Sequence, residues 1–145
     1  MSGLIGGVQI AVVFVWLGMV LAISFLEAPL KFRAPGITVP LGVGIGRLVF
    51  RALNSVEGAF AVLLVVCAFA ASPAVAVTTQ WPVAALCLDL SIGALLLRPL
   101  MDRRVKAGRS ADGLSRNYLH IWYILLEGVK VLLLLVLGVA YLGRQ

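Results

Sequence analysis

The chain has 145 residues, of which 62% are hydrophobic and 12% charged, with a mean hydropathy of +1.09 and a formal net charge of +6. Soluble domains of this size run near half apolar and a quarter charged, and disordered chains are poor in apolar residues, so both classes are excluded. The composition predicts an all-α polytopic membrane protein. Four spans of ~20–25 residues in an up-down bundle would use the whole length, leaving no room for a separate soluble domain.

The first 26 residues carry no charged side chain, and Met1 to Gly7 lacks the Lys or Arg that opens a signal peptide. A retained first span is therefore expected over 3–28, stopped by Pro29 and followed by Lys31 and Arg33 at the headgroups. Pro35, Gly36 and Pro40 break any helix in the loop 29–40. Thr38 is placed to N-cap a second helix over 41–71, with Pro40 in its first turn. That helix is longer than the hydrocarbon core requires, so Arg47 and Arg51 reach water by snorkelling. After a polar hairpin at 72–80, Trp81-Pro82 opens a third helix over 81–98, closed by Arg98-Pro99. The strongly polar loop 99–116 leads to a fourth helix over 117–142. Tyr118, Trp122 and Tyr123 mark its start and Tyr141 its end, as interfacial aromatics do.

Ten of the twelve basic residues fall in two regions, 30–51 and 98–116. With four spans these regions share one side, and the positive-inside rule makes that side cytoplasmic and both termini external. The cell (inner) membrane is the expected location. The basic excess is a topology signal that needs no nucleic-acid partner; its chemistry also suits anionic membrane lipid.

Each expected helix holds one carboxylate: Glu27, Glu57, Asp89 and Glu127. At 1.5 Å per residue they lie roughly 5, 10, 13 and 13 Å inside the cytoplasmic boundary, so four spans converge on one layer. Charged groups at such depth are costly and face the bundle interior or a wet cavity. On the second helix Arg47, Arg51, Asn54 and Glu57 form one stripe, with Gly58 beside it. On the fourth, His120, Tyr123, Glu127 and Lys130 form another. Ala85, Asp89 and Gly93 make a narrow face on the third helix, and Ser24 and Glu27 lie together on the first. The candidate ligand-binding set is thus Glu27, Arg51, Asn54, Glu57, Asp89, His120, Tyr123, Glu127 and Lys130. The same pattern is open to a purely structural reading. Glu127 and Lys130 are three apart and can pair on one helix, and Glu27 can reach Lys31. Interhelical polar pairs also serve packing alone.

Catalytic and cofactor chemistry find little support. A di-iron bundle needs Glu-x-x-His, and Lys130 stands where that His would be. One His in the chain argues against zinc. No nucleophile, base and orienting group occur together, and no cofactor is expected. Cys67 and Cys87 both lie near the outer face, open either to a disulfide across the hairpin or to packing as small apolar residues. Gly3-x-x-x-Gly7 is open to close helix contact or dimerisation. The run Gly42, Gly44, Gly46 is membrane-edge helix and not a dinucleotide fingerprint.

Trp16-Leu17-Gly18-Met19, Ile23-Ser24-Phe25 and Ala28-Pro29-Leu30-Lys31-Phe32-Arg33 together resemble the first helix of a small four-helix membrane family of unknown function. That family includes a human transmembrane protein associated with cisplatin resistance. Arg47-Leu48-Val49-Phe50 and Leu119-His120 agree with it more loosely, and Glu27 departs from it. Through Lys31-Phe32 and the Glu57-Gly58 step the chain also resembles DoxX-like four-helix proteins, which are linked to membrane redox complexes. These resemblances imply a four-span bundle, in a setting of solute or metal-drug resistance or of membrane redox chemistry.

Three functions are carried forward. The first is a membrane protein whose carboxylate-lined layer binds or transports an ion or small solute. The second is a non-catalytic assembly or scaffold subunit, a homo-oligomer or bound to another membrane protein. The third is a lipid- or quinone-binding accessory with Arg116 and His120 at an aromatic rim.

Overall fold

A computed structural model describes residues 2–70, 77–93, 95, 99 and 113–144, with side chains over 3–70, 80–93, 95, 99 and 121–144. Among the described residues the chain is helical apart from a turn at 34–38 and the last two positions, and it contains no strand.

Helix α1 (Ser2–Val20) continues through a widened π stretch (Leu21–Glu27), one α turn (Ala28–Leu30) and a 3₁₀ turn (Lys31–Arg33). The predicted stop at Pro29 is therefore corrected. The Ala28 N–H donates to the Ile23 carbonyl, five residues back. Pro29 then falls in the first turn after that shift, where its missing N–H and fixed φ are tolerated. The path reverses at Ala34-Pro35-Gly36-Ile37. The Ile37 N–H returns to the Ala34 carbonyl at 3.2 Å, and Gly36 takes φ of 79°. Pro at the second position and a left-handed Gly at the third are what a type II turn requires.

Helix α2 (Val39–Ala70) starts as the sequence predicts. Thr38 Oγ1 accepts the Leu41 N–H at 3.4 Å, and its carbonyl accepts the Gly42 N–H at 2.9 Å. Helix α3 (Val77–Ile92) begins earlier than position 81, so Pro82 is buried inside it rather than opening it, at the cost of one helical hydrogen bond. Helix α4 (Gly113–Leu142) likewise begins ahead of 117. Both early starts lie in polar sequence, where hydropathy no longer reports on the backbone. The predicted end of the third helix at 98 and the loop at 101–112 lie outside the described residues.

Three helical stretches are long and apolar enough to cross a membrane: Gly3–Arg33, Val39–Ala70 and Ile121–Leu142. Within α3, Gln80–Ile92 is apolar but shorter. Only 28–33% of the apolar window of each long stretch is buried inside the molecule, so most of that surface faces outward, as a bilayer solvent demands. Leu4, Leu48, Phe69, Leu88, Leu132 and Val139 are among the large apolar side chains on the outside.

Helices α1 and α3 each pack against both α2 and α4. Helix α1 runs antiparallel to α4, because Gln9 meets Tyr141 near one end and Ser24 meets Glu127 toward the other. It runs antiparallel to α2 as well, with Trp16 against Glu57 and Lys31 beside Gly46. The apolar core contains Trp16, Val20, Leu64, Leu86, Leu134 and Leu137. Gly42, Gly46 and Gly138 allow close contacts, Gly46 with the Lys31 side chain. A Cβ on Gly42 would collide with the Phe32 ring, and one on Gly138 would stand 3.0 Å from the Phe14 ring. By contrast, a Cβ on Gly3 or Gly7 would meet nothing within 4 Å, so that motif makes no close contact within this chain.

One further expectation changes, and the alternatives left open for the two cysteines narrow. Tyr141 is buried, accepting a hydrogen bond from the Gln9 amide at 3.4 Å, and is not a rim aromatic; Trp122 is exposed as expected. Cys67 and Cys87 are free thiols, so the disulfide is not formed in this structure. Cys67 is buried and Cys87 packs on the apolar core, where both act as small hydrophobic groups.

Candidate functional site

Lys130 is the centre of the polar layer. Its Nζ lies 2.9 Å from Glu127 Oε1, 3.0 Å from Glu57 Oε1 and 3.9 Å from Asp89 Oδ2. One ammonium thus serves three carboxylates from α2, α3 and α4. All four side chains are buried, Glu57 completely.

The surrounding donors are unequal. The Trp16 indole N–H donates to Glu57 Oε1 at 3.0 Å, and the Ser24 hydroxyl donates to Glu127 Oε2 at 2.8 Å. Glu57 and Glu127 therefore each hold a close ammonium and a neutral donor. Among the described residues Asp89 has only the ammonium at 3.9 Å, and its buried Oδ1 has no hydrogen-bond partner there. A hydrogen bond to an ionised group contributes roughly 1.5–3 kcal/mol, so this difference between the acids is large. Beside Asp89 lies a small cavity of about 10 Å³, lined by Asn54, Asp89, Gly93, Tyr123, Glu127 and Lys130 together with Leu90 and Leu126. Such a space admits about one water-sized particle.

Of the residues proposed from sequence, Asn54, Glu57, Asp89, Tyr123, Glu127 and Lys130 come together here. Glu27 does not. It pairs with Lys31 at 3.3 Å, one helical turn away, and remains 33% exposed at the end of α1. Four acids thus become three in the buried cluster, because the α1 position that faces the cluster is Ser24. Arg51 is also placed elsewhere: it is exposed and does not line the cavity. The side chain of His120 lies outside the described residues.

Trp16 is the contact that sequence reasoning missed. Trp16, Val20 and Ser24 recur every four residues, so the indole shares a face with the hydroxyl already singled out. A Trp deep in an apolar helix brings an N–H that needs an acceptor, and that was the available signal. Tyr123 lines the same cavity, its ring edge-on to Phe50 with centroids 5.3 Å apart. Among the described residues no group of three or more His, Cys, Asp and Glu is placed to hold a metal ion, the three acids being gathered on Lys130 instead.

No protein-family model, curated protein or solved structure matches the chain.

Proposed function

We propose that this chain is a four-span membrane bundle whose internal polar layer binds an ion or small solute. In this reading α3 is the fourth span, because it carries Asp89 to the level of Glu57 and Lys130 on its two neighbours. The two basic regions face the cytoplasm and both termini face out, on the strength of the positive-inside distribution. The observation that carries the binding reading is the imbalance at Asp89: a buried carboxylate oxygen without a donor among the described residues, beside a cavity that several polar side chains line. Packing alone favours satisfied groups, since an unpaired buried polar atom costs about 1–3 kcal/mol. Purified protein in detergent is expected to show ligand-induced thermal stabilisation in a screen of inorganic ions and small polar solutes. Glu57→Gln and Glu127→Gln should weaken that response. Identical responses from both variants and the native chain, for every ligand that acts, would overturn the reading.

One observation favours a second reading. Trp16 and Ser24 on α1 complete a network reaching all four helices, so the layer also ties the bundle together, as it would in an assembly subunit. A stoichiometric membrane-protein partner on gentle solubilisation, with no ligand response, would support that reading over the first.

A further inference from the structure

We infer that the ion bound by the polar layer is the proton, with one on Asp89 and one on Glu127, while Glu57 remains the ionised partner of Lys130. This rests on the binding reading above and names its ligand.

Three carboxylates and one ammonium are buried together, so two negative charges would be left over if every acid were ionised. Among the described residues the groups facing this layer are Glu57 and the neutral Asn54 from α2, and Asp89 from α3. Helix α4 adds Tyr123, Glu127 and Lys130, and α1 adds the neutral Trp16 and Ser24. That set contains one cation. A buried acid without a close counter-ion sheds its charge by taking up a proton. Two protons therefore balance the layer.

Hydrogen-bond chemistry assigns them. An ammonium and an indole N–H donate and never accept. Glu57 receives both: the Trp16 indole and the Lys130 ammonium each lie 3.0 Å from Oε1, and the ammonium also reaches Oε2 at 3.3 Å. Both oxygens of Glu57 face obligate donors, which makes it the carboxylate. At Glu127 the ammonium takes Oε1 at 2.9 Å, and Oε2 meets the Ser24 hydroxyl at 2.8 Å. A hydroxyl accepts as well as it donates, so a protonated Oε2 donates to Ser24 Oγ across the same distance. Asp89 is 6% exposed, has the ammonium only at 3.9 Å from Oδ2, and has no hydrogen-bond partner for Oδ1 among the described residues. A proton on Oδ1 removes that charge and turns the atom into a donor. The same cavity is lined by the Asn54 amide and the Tyr123 hydroxyl, whose oxygens accept, and its volume of about 10 Å³ admits one water to pass the proton on. On loading, one O–H bond forms at each of the two carboxyl groups with protons from bulk water, and on release they return to it.

The test is infrared spectroscopy of the purified full chain in detergent, in which a protonated carboxyl group has a carbonyl band separate from that of a carboxylate. Asp102→Asn with Asp112→Asn leaves Asp89 as the one aspartate of the chain. In that background, at neutral pH, a heavy carbon isotope at the aspartate carboxyl should shift one protonated-carboxyl band, and the same label in glutamate should shift a second. Both bands should move in heavy water and vanish reversibly as the pH is raised, with helix content unchanged. Asp89→Asn should lose the first band and keep the second, and Glu127→Gln should lose the second. Ser24→Ala, which removes no ionisable group, should raise the frequency of the second band by freeing its O–H, and decides the assignment if Glu127→Gln does not fold. Absence of an aspartate-sensitive band at neutral pH overturns the inference. So does a glutamate band that survives Glu127→Gln or stays in place in Ser24→Ala, and so do bands that answer neither to pH nor to heavy water in the folded chain. If no protonated carboxyl is found but a solute stabilises the native chain and not Glu127→Gln, the proton assignment fails and the binding reading stands. If no protonated carboxyl is found and no solute acts, both fail.

Discussion

Lys130 holds the polar layer together because it is the close cation of Glu57 and Glu127 and the cation nearest Asp89 among the described residues, and losing it differs from losing any one acid. Lys130→Met leaves Glu57, Asp89 and Glu127 without a counter-ion, and stripping one partner from a buried charge pair costs about 3–5 kcal/mol. Glu57→Gln leaves Lys130 with Glu127 at 2.9 Å and still offers the Trp16 indole an acceptor oxygen, so its cost should be smaller. Denaturation in mixed micelles should rank the two variants in that order. Combining Lys130→Met with Glu57→Gln and Glu127→Gln should recover much of the loss, since the changes act on one network and are not additive. A triple variant as unstable as the sum of its parts would contradict this account of the cluster. The polar contact of Gln9 with Tyr141 is neutral, and removing it should cost no more than an ordinary interhelical hydrogen bond, about 0.6–2 kcal/mol.

At the scale of the helix, close approach is concentrated where small residues permit it. Gly138 on α4 faces Phe14 and Val13 of α1, and a Cβ there already lies within 3.0–3.4 Å of them. Gly138→Leu should force α1 and α4 apart at about 1–3 kcal/mol, the usual cost of overpacking. Gly44→Leu, at a position where a Cβ meets nothing within 4 Å, should leave thermal stability nearly unchanged. The comparison is read from unfolding temperatures in one detergent. The π stretch of α1 has a related role. It carries the helical path past Pro29 to Lys31 and Phe32, which then seat against Gly46 and Gly42 of α2. The α1–α2 hairpin is therefore closed by contacts at its base as well as by the type II turn.

At the scale of the molecule, the described helices turn an apolar exterior outward around a buried charged layer, which is the reverse of a soluble protein and the arrangement a bilayer selects. The orientation proposed for it can be checked directly. A reporter fused after Gln145 should be active outside the cytoplasm, and single cysteines at 103–109, in a background lacking Cys67 and Cys87, should react only with reagents that cross the membrane. Activity of the C-terminal reporter in the cytoplasm would invert the topology and put the polar layer in the opposite half of the bilayer.

Much of this was legible in the sequence. Membrane class follows from composition, because 62% apolar residues cannot be buried in a chain this short and must face lipid. Thr38 as a cap and the Pro-Gly turn were legible because both depend on adjacent residues. So were the pairing of Asn54 with Glu57, of Asp89 with Gly93 and of Tyr123 and Glu127 with Lys130 on single helix faces, because a period of 3.6 assigns residues to one face of one helix. That period says nothing about how far a helix is rotated or raised against its neighbours. Depth counting placed Glu27 with the other acids, yet the packed structure turns it toward Lys31 and presents Ser24 instead. It also decided that the Trp16 indole reaches Glu57, that Arg51 stays outside, and that Cys67 and Cys87 remain thiols. Composition and periodicity alone determined a membrane-embedded helical protein with acids on its inner faces. Only the tertiary structure decided which acids share Lys130 and which oxygen is left over, because three-dimensional packing alone sets the distances between helices.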